Sequence, residues 1–233
     1  MAPKRAMGEA LSGASKRPAA SKPAAPIAPG LVPAGWALHG GSVLVRDFAP
    51  GGDNGAPAPA PDGGAVRVAG FDFDGCLAET SVFRTEPTAW KLRFPNVPSA
   101  LRELHAGGYR IVIVTNESTD RFVNAEPLRK CMEKKAHRVD ALMREVGVPC
   151  LALIALRKDE FRKPSAGAWR VIEARHAGRA LDITASFFVG DAAGRPKAGK
   201  READHSSDDL GFARSAGIAF FNEEQFFVDG ARL

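Results

Sequence analysis

The chain has 233 residues, of which 45% are hydrophobic and 25% charged, a composition that suits one globular domain with a tail. No apolar run approaches the ~20 residues a membrane helix needs, no secretory signal core opens the sequence, and the scattered Cys76, Cys131 and Cys150 form neither a zinc spacing nor a disulfide framework, which points to a reducing compartment. Of the formal charge of +5, a net +4 falls in residues 1–22, so the basic balance gives no ground for a basic catalytic domain.

Residues 1–34 are rich in Ala, Pro, Ser and Lys, with too few large apolar side chains to offset the entropy of ordering them. They are expected to form a disordered basic tail. Lys4-Arg5 and Lys16-Arg17 resemble the two halves of a nuclear-import signal. An acid-poor leader of this kind also suits a mitochondrial or plastid transit peptide, and a solvated linker with no address is the third reading.

Trp36 begins the expected domain, residues 35–233. Ser42 to Phe48 reads as a strand, and residues 49–64 form a Pro/Gly/Asp-rich loop. Val66 to Phe71 is an apolar run bounded by turn residues, which predicts a buried strand. It ends in Asp72-Phe73-Asp74-Gly75, placing two carboxylates where open α/β sheets bind ligands. Such neighbours repel unless a cation or a shared proton offsets them. Ala78 to Phe94 has no clean period and is expected to be a flap over the site.

Pro98 to Ala106 predicts a helix stopped by Gly107-Gly108. Arg110 to Val114 predicts a second buried strand, ending in Thr115-Asn116. Glu126 to Val146 predicts a long amphipathic helix with Leu128, Met132, Ala136, Val139, Leu142, Met143 and Val146 on one face. Arg129, Lys130, Lys134, Lys135 and Arg138 fall off that face, either as a solvated surface or as a track for a phosphate backbone. Pro149 to Leu156 is a third strand, and Pro164 is expected to start a helix that Lys163 opens. Ser186 to Val189 predicts a fourth strand ending in Gly190-Asp191, followed by a helix at 208–216, a strand at 218–221 and a closing turn of helix at 223–227. This alternation predicts an α/β fold: a Rossmann-like, mostly parallel sheet with helices on both faces.

In such a sheet Asp72, Asp74, Thr115, Asn116, Lys163 and Asp191 lie along one edge. Carboxylates, a hydroxyl, an amide and an ammonium together suit a hard cation bound through oxygen beside an anionic group.

The order of these groups resembles the four motifs of the haloacid dehalogenase superfamily of phosphatases. Within it the chain is similar to the phosphatase domain of the polynucleotide kinase 3′-phosphatase family. The likeness is carried by Gly70-Phe71-Asp72-Phe73-Asp74-Gly75, by Ile113-Val114-Thr115-Asn116, by Arg162-Lys163-Pro164, and by Gly190-Asp191-Ala192-Ala193-Gly194-Arg195. It implies a haloacid dehalogenase-like fold with the five sheet strands in the order 5-4-1-2-3. It implies a Mg2+-dependent polynucleotide 3′-phosphatase acting on DNA 3′-phosphate ends in strand-break repair, alongside other repair proteins. With the tail's resemblance to an import signal and no membrane-length run, a nuclear monomer without membrane contact is expected, a mitochondrial or plastid address being the alternative. In the roles the resemblance implies, Asp72 is the nucleophile, Asp74 the general acid and base, and Lys163 the offsetting charge. Asp72, Asp191 and the backbone carbonyl of Asp74 hold the metal. Thr115 and Asn116 bind phosphoryl oxygens, while Arg195 either touches substrate or braces its loop. Asp209 is expected to be structural or a partner of Lys163, and Arg84, Lys91, Arg93, Lys197, Lys200 and Arg201 are candidate strand contacts. Cys76, Glu117 and Ser118-Thr119-Asp120-Arg121 depart from the family's pattern, and no Gly-x-x-x-x-Gly-Lys-Ser/Thr run marks a kinase domain. Two other classes stay open: a small-molecule phosphatase of the same superfamily, and a silent module recruited to DNA ends by its basic tail.

Overall fold

A computed structural model of the chain describes residues 26–50, 64–80, 86–176, 179–199 and 201–233. After a 3-10 turn at Pro29–Leu31, the elements are β1 (Ala37–His39), β2 (Val43–Phe48), β3 (Arg67–Phe71), β4 (Ala78–Thr80), β5 (Trp90–Leu92), α1 (Val97–Ala106), β6 (Tyr109–Asn116), α2 (Ala125–Val146), β7 (Cys150–Ala155), α3 (Gly167–Arg175), β8 (Phe187–Gly190), α4 (Asp208–Ala216), β9 (Ala219–Asn222) and α5 (Glu223–Phe227). Seven strands among the described residues form one sheet in the order β1-β2-β7-β6-β3-β8-β9. The five from β7 to β9 run parallel, while β2 joins β7 antiparallel and β1 joins β2 antiparallel. Numbered among themselves, the five parallel strands keep the expected order of 5-4-1-2-3.

Alternate residues of the central strands feed two cores. Ala69, Phe71, Ile113 and Phe187 face the layer that holds α1, α2 and α5. Val68, Val112, Val114 and Phe188 face α3 and α4. The sheet is thus covered on both sides, as its near-continuous apolar strands require. Each large side chain fully removed from water here contributes about 1.5–3 kcal/mol. The seven apolar positions expected on one face of α2 are all buried.

Three expectations change, and a fourth, the flap after β3, gains its structure. The structured region begins before residue 35: Ile27, Leu31 and Val32 pack on the core that holds α2, because three apolar side chains suffice to dock a short turn. Residues 1–25 lie outside the described residues. Pro164 does not start α3; Lys163-Pro164 sits in a turn and the helix begins at Gly167. The turn is closed by Ser165 N–H to Arg162 O at 2.9 Å and Gly167 N–H to Glu160 O at 3.0 Å. The segment after β3 contains the small hairpin β4-β5, in which Ala78 pairs with Leu92 and Thr80 with Trp90. Finally, Lys135 and Arg138 are buried rather than part of a solvated face.

Candidate active site

The carboxyl end of β3 delivers Asp72, whose backbone N–H bonds Val189 O at 2.8 Å and so ties β3 to β8. The chain then turns through Gly75, at φ +82, a conformation that favours glycine. A Cβ there would collide with the Asp191 carboxylate, so the missing side chain also lets the turn lie against the end of β8. A Cβ at Gly190 would likewise meet the carboxylate of Asp209. Two glycines therefore allow three carboxylates to crowd together: Asp72, Asp191 and Asp209 each offer an oxygen within 4.8 Å of the others.

Lys163 closes one side. Its Nζ donates to Asp72 Oδ1 at 2.5 Å, Asp209 Oδ1 at 2.7 Å and Val114 O at 2.7 Å. Asn116 holds the lysine's backbone from both ends, donating to Lys163 O and accepting from Lys163 N–H, each at 3.1 Å. That amide clasp fixes the turn between β7 and α3. Thr115 is buried, with its hydroxyl 3.5 Å from Asp74 Oδ2.

Asp74 is held by a set that sequence reasoning did not assemble. Lys135, buried on α2, bonds its Oδ2, while Thr80 in the hairpin donates to Oδ1 at 2.6 Å. Glu117 Oε2 lies 3.4 Å from the same ammonium. The departure at Glu117 thus supplies a second counter-charge for a buried lysine. The signal was present: residues 128, 132, 135, 139, 142 and 146 follow the helical stripe, and Lys135 is the one charged member of it.

These surroundings set the ionisation. Burial pushes Asp72 up to about 7; Lys163 opposes this, and the charges of Asp209 and Asp74 add to it. Burial and the charges of Asp72 and Asp209 push Asp191 up to about 8. Burial would raise Asp74 as well, but Lys135 and Thr80 hold it below its ordinary value. Burial opposes the charge on Lys163, yet Asp209 and Asp72 keep its pKa above the usual lysine range. Burial also pushes the Cys76 thiol well up, with nearby carboxylates adding to the effect; its Sγ donates to Val189 O at 3.4 Å, so Cys76 packs as a small neutral side chain.

Asp72, Asp74, Thr115, Asn116, Lys163 and Asp191 line one cavity of about 280 Å³. Arg195 does not. Its guanidinium is engaged by Asp204 at 2.9 Å and Glu223 at 3.0 Å, and it donates to Asp191 O at 3.1 Å. Of the two expectations for Arg195, the geometry supports the brace: Nε and Nη2 are engaged by Asp204, Glu223 and the Asp191 carbonyl. Asp209 takes the role of partner, accepting from Lys163 and from Ala192 N–H at 3.0 Å. Lys91, Lys197 and Arg201 each pair with an acid, Glu79, Glu202 and Asp204 respectively, and Arg93 lies over the Phe94 ring. Arg84 and Lys200 lie outside the described residues.

The carboxylate cluster suits a hard divalent cation: its donors are all oxygens, and Asp72 and Asp191 are raised first by burial and then by neighbouring carboxylates, both of which such an ion offsets.

A family model described as polynucleotide kinase 3 phosphatase matches residues 67–227. The chain is 39% identical over 174 residues to the polynucleotide 3′-phosphatase ZDP of Arabidopsis thaliana, a match covering 70% of this chain and 24% of that protein. It is 33% identical over 162 residues to a bifunctional polynucleotide phosphatase/kinase of Schizosaccharomyces pombe, covering 68% of this chain and 36% of the relative. The chain thus spans about a quarter to a third of the length of these curated relatives. Among solved structures, a haloacid dehalogenase-like phosphatase assignment from Mesorhizobium loti superposes with a TM-score of 0.53 at 20% identity, covering 76% of this chain and 77% of that one, which establishes the likeness of fold.

Proposed function

The chain belongs to the polynucleotide kinase 3 phosphatase family, and from that membership we propose that it is a phosphatase that removes 3′-phosphate from DNA ends through a phosphorylated Asp72. The observation that carries the reading is the meeting of Asp72, Asp74, Lys163 and Asp191 in one cavity of a chain that matches this family over residues 67–227.

Phosphate esters hydrolyse very slowly unaided, so charge and positioning supply most of the rate. An oxygen of Asp72 attacks phosphorus as the bond to the 3′-oxygen breaks, and Asp74 gives that oxygen its proton. Water then attacks the phosphorylated aspartate, and Asp74 takes its proton as inorganic phosphate leaves and the Asp72 carboxylate is regenerated. Asp74 serves both steps because its surroundings pull in opposite directions. A dianionic phosphoryl group arriving beside it favours the protonated form, while Lys135 favours the carboxylate once the phosphoryl group has moved to Asp72. Lys163 keeps Asp72 aimed and offsets the charge gathered there. Mg2+ would be held by Asp72, Asp191 and the backbone carbonyl of Asp74, and when bound it supplies charge neutralisation at the phosphoryl oxygens.

The test is phosphate release from a 3′-phosphorylated oligonucleotide, with Mg2+ and with a chelator, beside a panel of sugar phosphates. Rapid release that needs Mg2+ and vanishes in a folded Asp72→Asn protein is the expected result. Release from the small phosphates alone would give the site to a small-molecule phosphatase.

A further inference from the structure

A second cavity of about 320 Å³ adjoins the first. The two share Asp74, Asn116 and Ser118 in their walls, so Asp74 stands at the boundary between them. The nucleophile, Lys163 and the carboxylate cluster lie on one side; Arg121, Lys134, Lys135 and Arg138 line the other. This division has a chemical consequence. In phosphoryl transfer the leaving oxygen departs opposite the attacking one, and the group that protonates it must touch it. If Asp72 attacks and Asp74 protonates, the leaving group lies on Asp74's side, toward the second cavity.

The charge there suits a polyanion. Four cations face two acids, Asp74 and Glu117. The inner two cations already have work: Lys135 holds Asp74 and Glu117, and Arg138 donates to Glu86 O at 2.9 Å, against the segment that leads into β5. The outer two do not. Among the described residues Lys134 makes no ion pair, and Arg121 lies over the Phe122 ring, 4.7 Å from its centroid, with no carboxylate on it. On the opposite flank the basic side chains Lys197 and Arg201 are each matched to an acid.

We propose that the second cavity is the leaving-strand subsite, in which Arg121 and Lys134 take the phosphodiester that precedes the terminal nucleotide. The proposal rests on the 3′-phosphatase reading above and adds to it the path of the strand. A nucleoside 3′-monophosphate lacks that phosphodiester, so only longer substrates gain from the two cations.

The experiment compares kcat/KM for a 3′-phosphorylated single-stranded oligonucleotide with that for a nucleoside 3′-monophosphate, in the full chain, in the double variant Arg121→Ala/Lys134→Ala and in Lys130→Ala. Lys130 is an exposed lysine of the same helix that lines neither cavity and pairs with Glu126. The ratio of the two constants is expected to fall at least tenfold in the double variant and to stay at the parent value in Lys130→Ala. Losing the cations on that one phosphodiester should also flatten the dependence of log kcat/KM on log salt by about 0.7 for a single strand. An unchanged ratio in a double variant that melts like the parent, with the parent active on the oligonucleotide, overturns the subsite. A parent with no activity on the oligonucleotide overturns the phosphatase reading and the subsite with it.

Discussion

Lys163 has three N–H donors and meets three acceptors, two of them carboxylates, with its own side chain 2% exposed. Replacing it with Met leaves Asp72 and Asp209 buried without their counter-charge. Breaking a buried pair in this way costs about 3–5 kcal/mol, so Lys163→Met should lower the urea midpoint as well as abolish turnover, as equilibrium unfolding and a rate assay would show. Lys135 separates the two effects better, because Asp74 is only half-buried. Lys135→Met should cut kcat about 10- to 100-fold with a smaller loss of stability, and a carboxylate titration followed by NMR should show the Asp74 pKa rising toward or above its ordinary value. The two lysines also show what the sequence could say about the site. Lys163 was legible because it stands alone before a proline between two strand-end motifs. Lys135 was overlooked because a lysine on an amphipathic helix reads as solvated, although its spacing from Leu128 and Leu142 puts it on the apolar stripe. A charge on that stripe is itself a sign that an opposite charge waits in the core.

At the level of elements, four of the five parallel strands were legible because burial on both faces leaves each as a nearly unbroken apolar run, and the half-buried edge strand β9 still carries Ala219, Phe220 and Phe221 in a row. The hairpin β4-β5 and strand β1 were not legible, since three-residue strands carry too little pattern to be distinguished from loop. Arg195 joins elements that the sequence gives no reason to connect: it draws the loop after β8 onto Asp204 and onto Glu223 at the start of α5. The two carboxylate side chains are only 7% and 4% exposed, so Arg195→Gln leaves Glu223 buried without its closest cation and leaves Asp204 with the partly exposed Arg201 alone. It should cost roughly 2–3 kcal/mol by denaturant unfolding, below the range for a fully buried pair because the arginine is partly solvated, while KM for a small phosphate changes little. At the end of α3, His176 is buried and hydrogen-bonds Ile172 O at 2.8 Å; a carbonyl only accepts, so Nδ1 carries the proton. Burial lowers its pKa more than this bond raises it. The unfolded chain therefore takes up the proton first, and stability present above about pH 6.5 is lost as the pH falls from there through the lower folded value. The His176 share of the urea midpoint should fall between about pH 7 and about pH 5, read as the difference in slope between the parent and a His176→Phe variant, because the raised Asp72 and Asp191 drive the total the other way in that window.

The whole molecule concentrates a cost at one edge of its sheet. Apolar strands, covered on both faces, end in carboxylates that the surrounding protein drives up to about 7 at Asp72 and about 8 at Asp191. An acid whose folded pKa lies above its unfolded value stabilises the fold while protonated, and that contribution, complete below about pH 4, is lost as the pH rises through the folded pKa. In chelator the two aspartates should therefore weaken the protein progressively toward about pH 8. A divalent cation requires the ionised carboxylates, so it competes with protons at low pH and replaces them at high pH. The rise in Tm on adding Mg2+ should accordingly be small near pH 5 and largest near pH 8, and Asp191→Asn should remove most of it. Calorimetric binding near pH 6.5 in buffers of different ionisation enthalpy should show protons released as the ion enters. If the Mg2+-induced rise in Tm is the same at every pH, the cluster is not where the ion binds. The crowding at Asp72, Asp191 and Asp209 would then be relieved by Lys163 and by protonation alone, and a cation site would have to be sought beyond these three carboxylates.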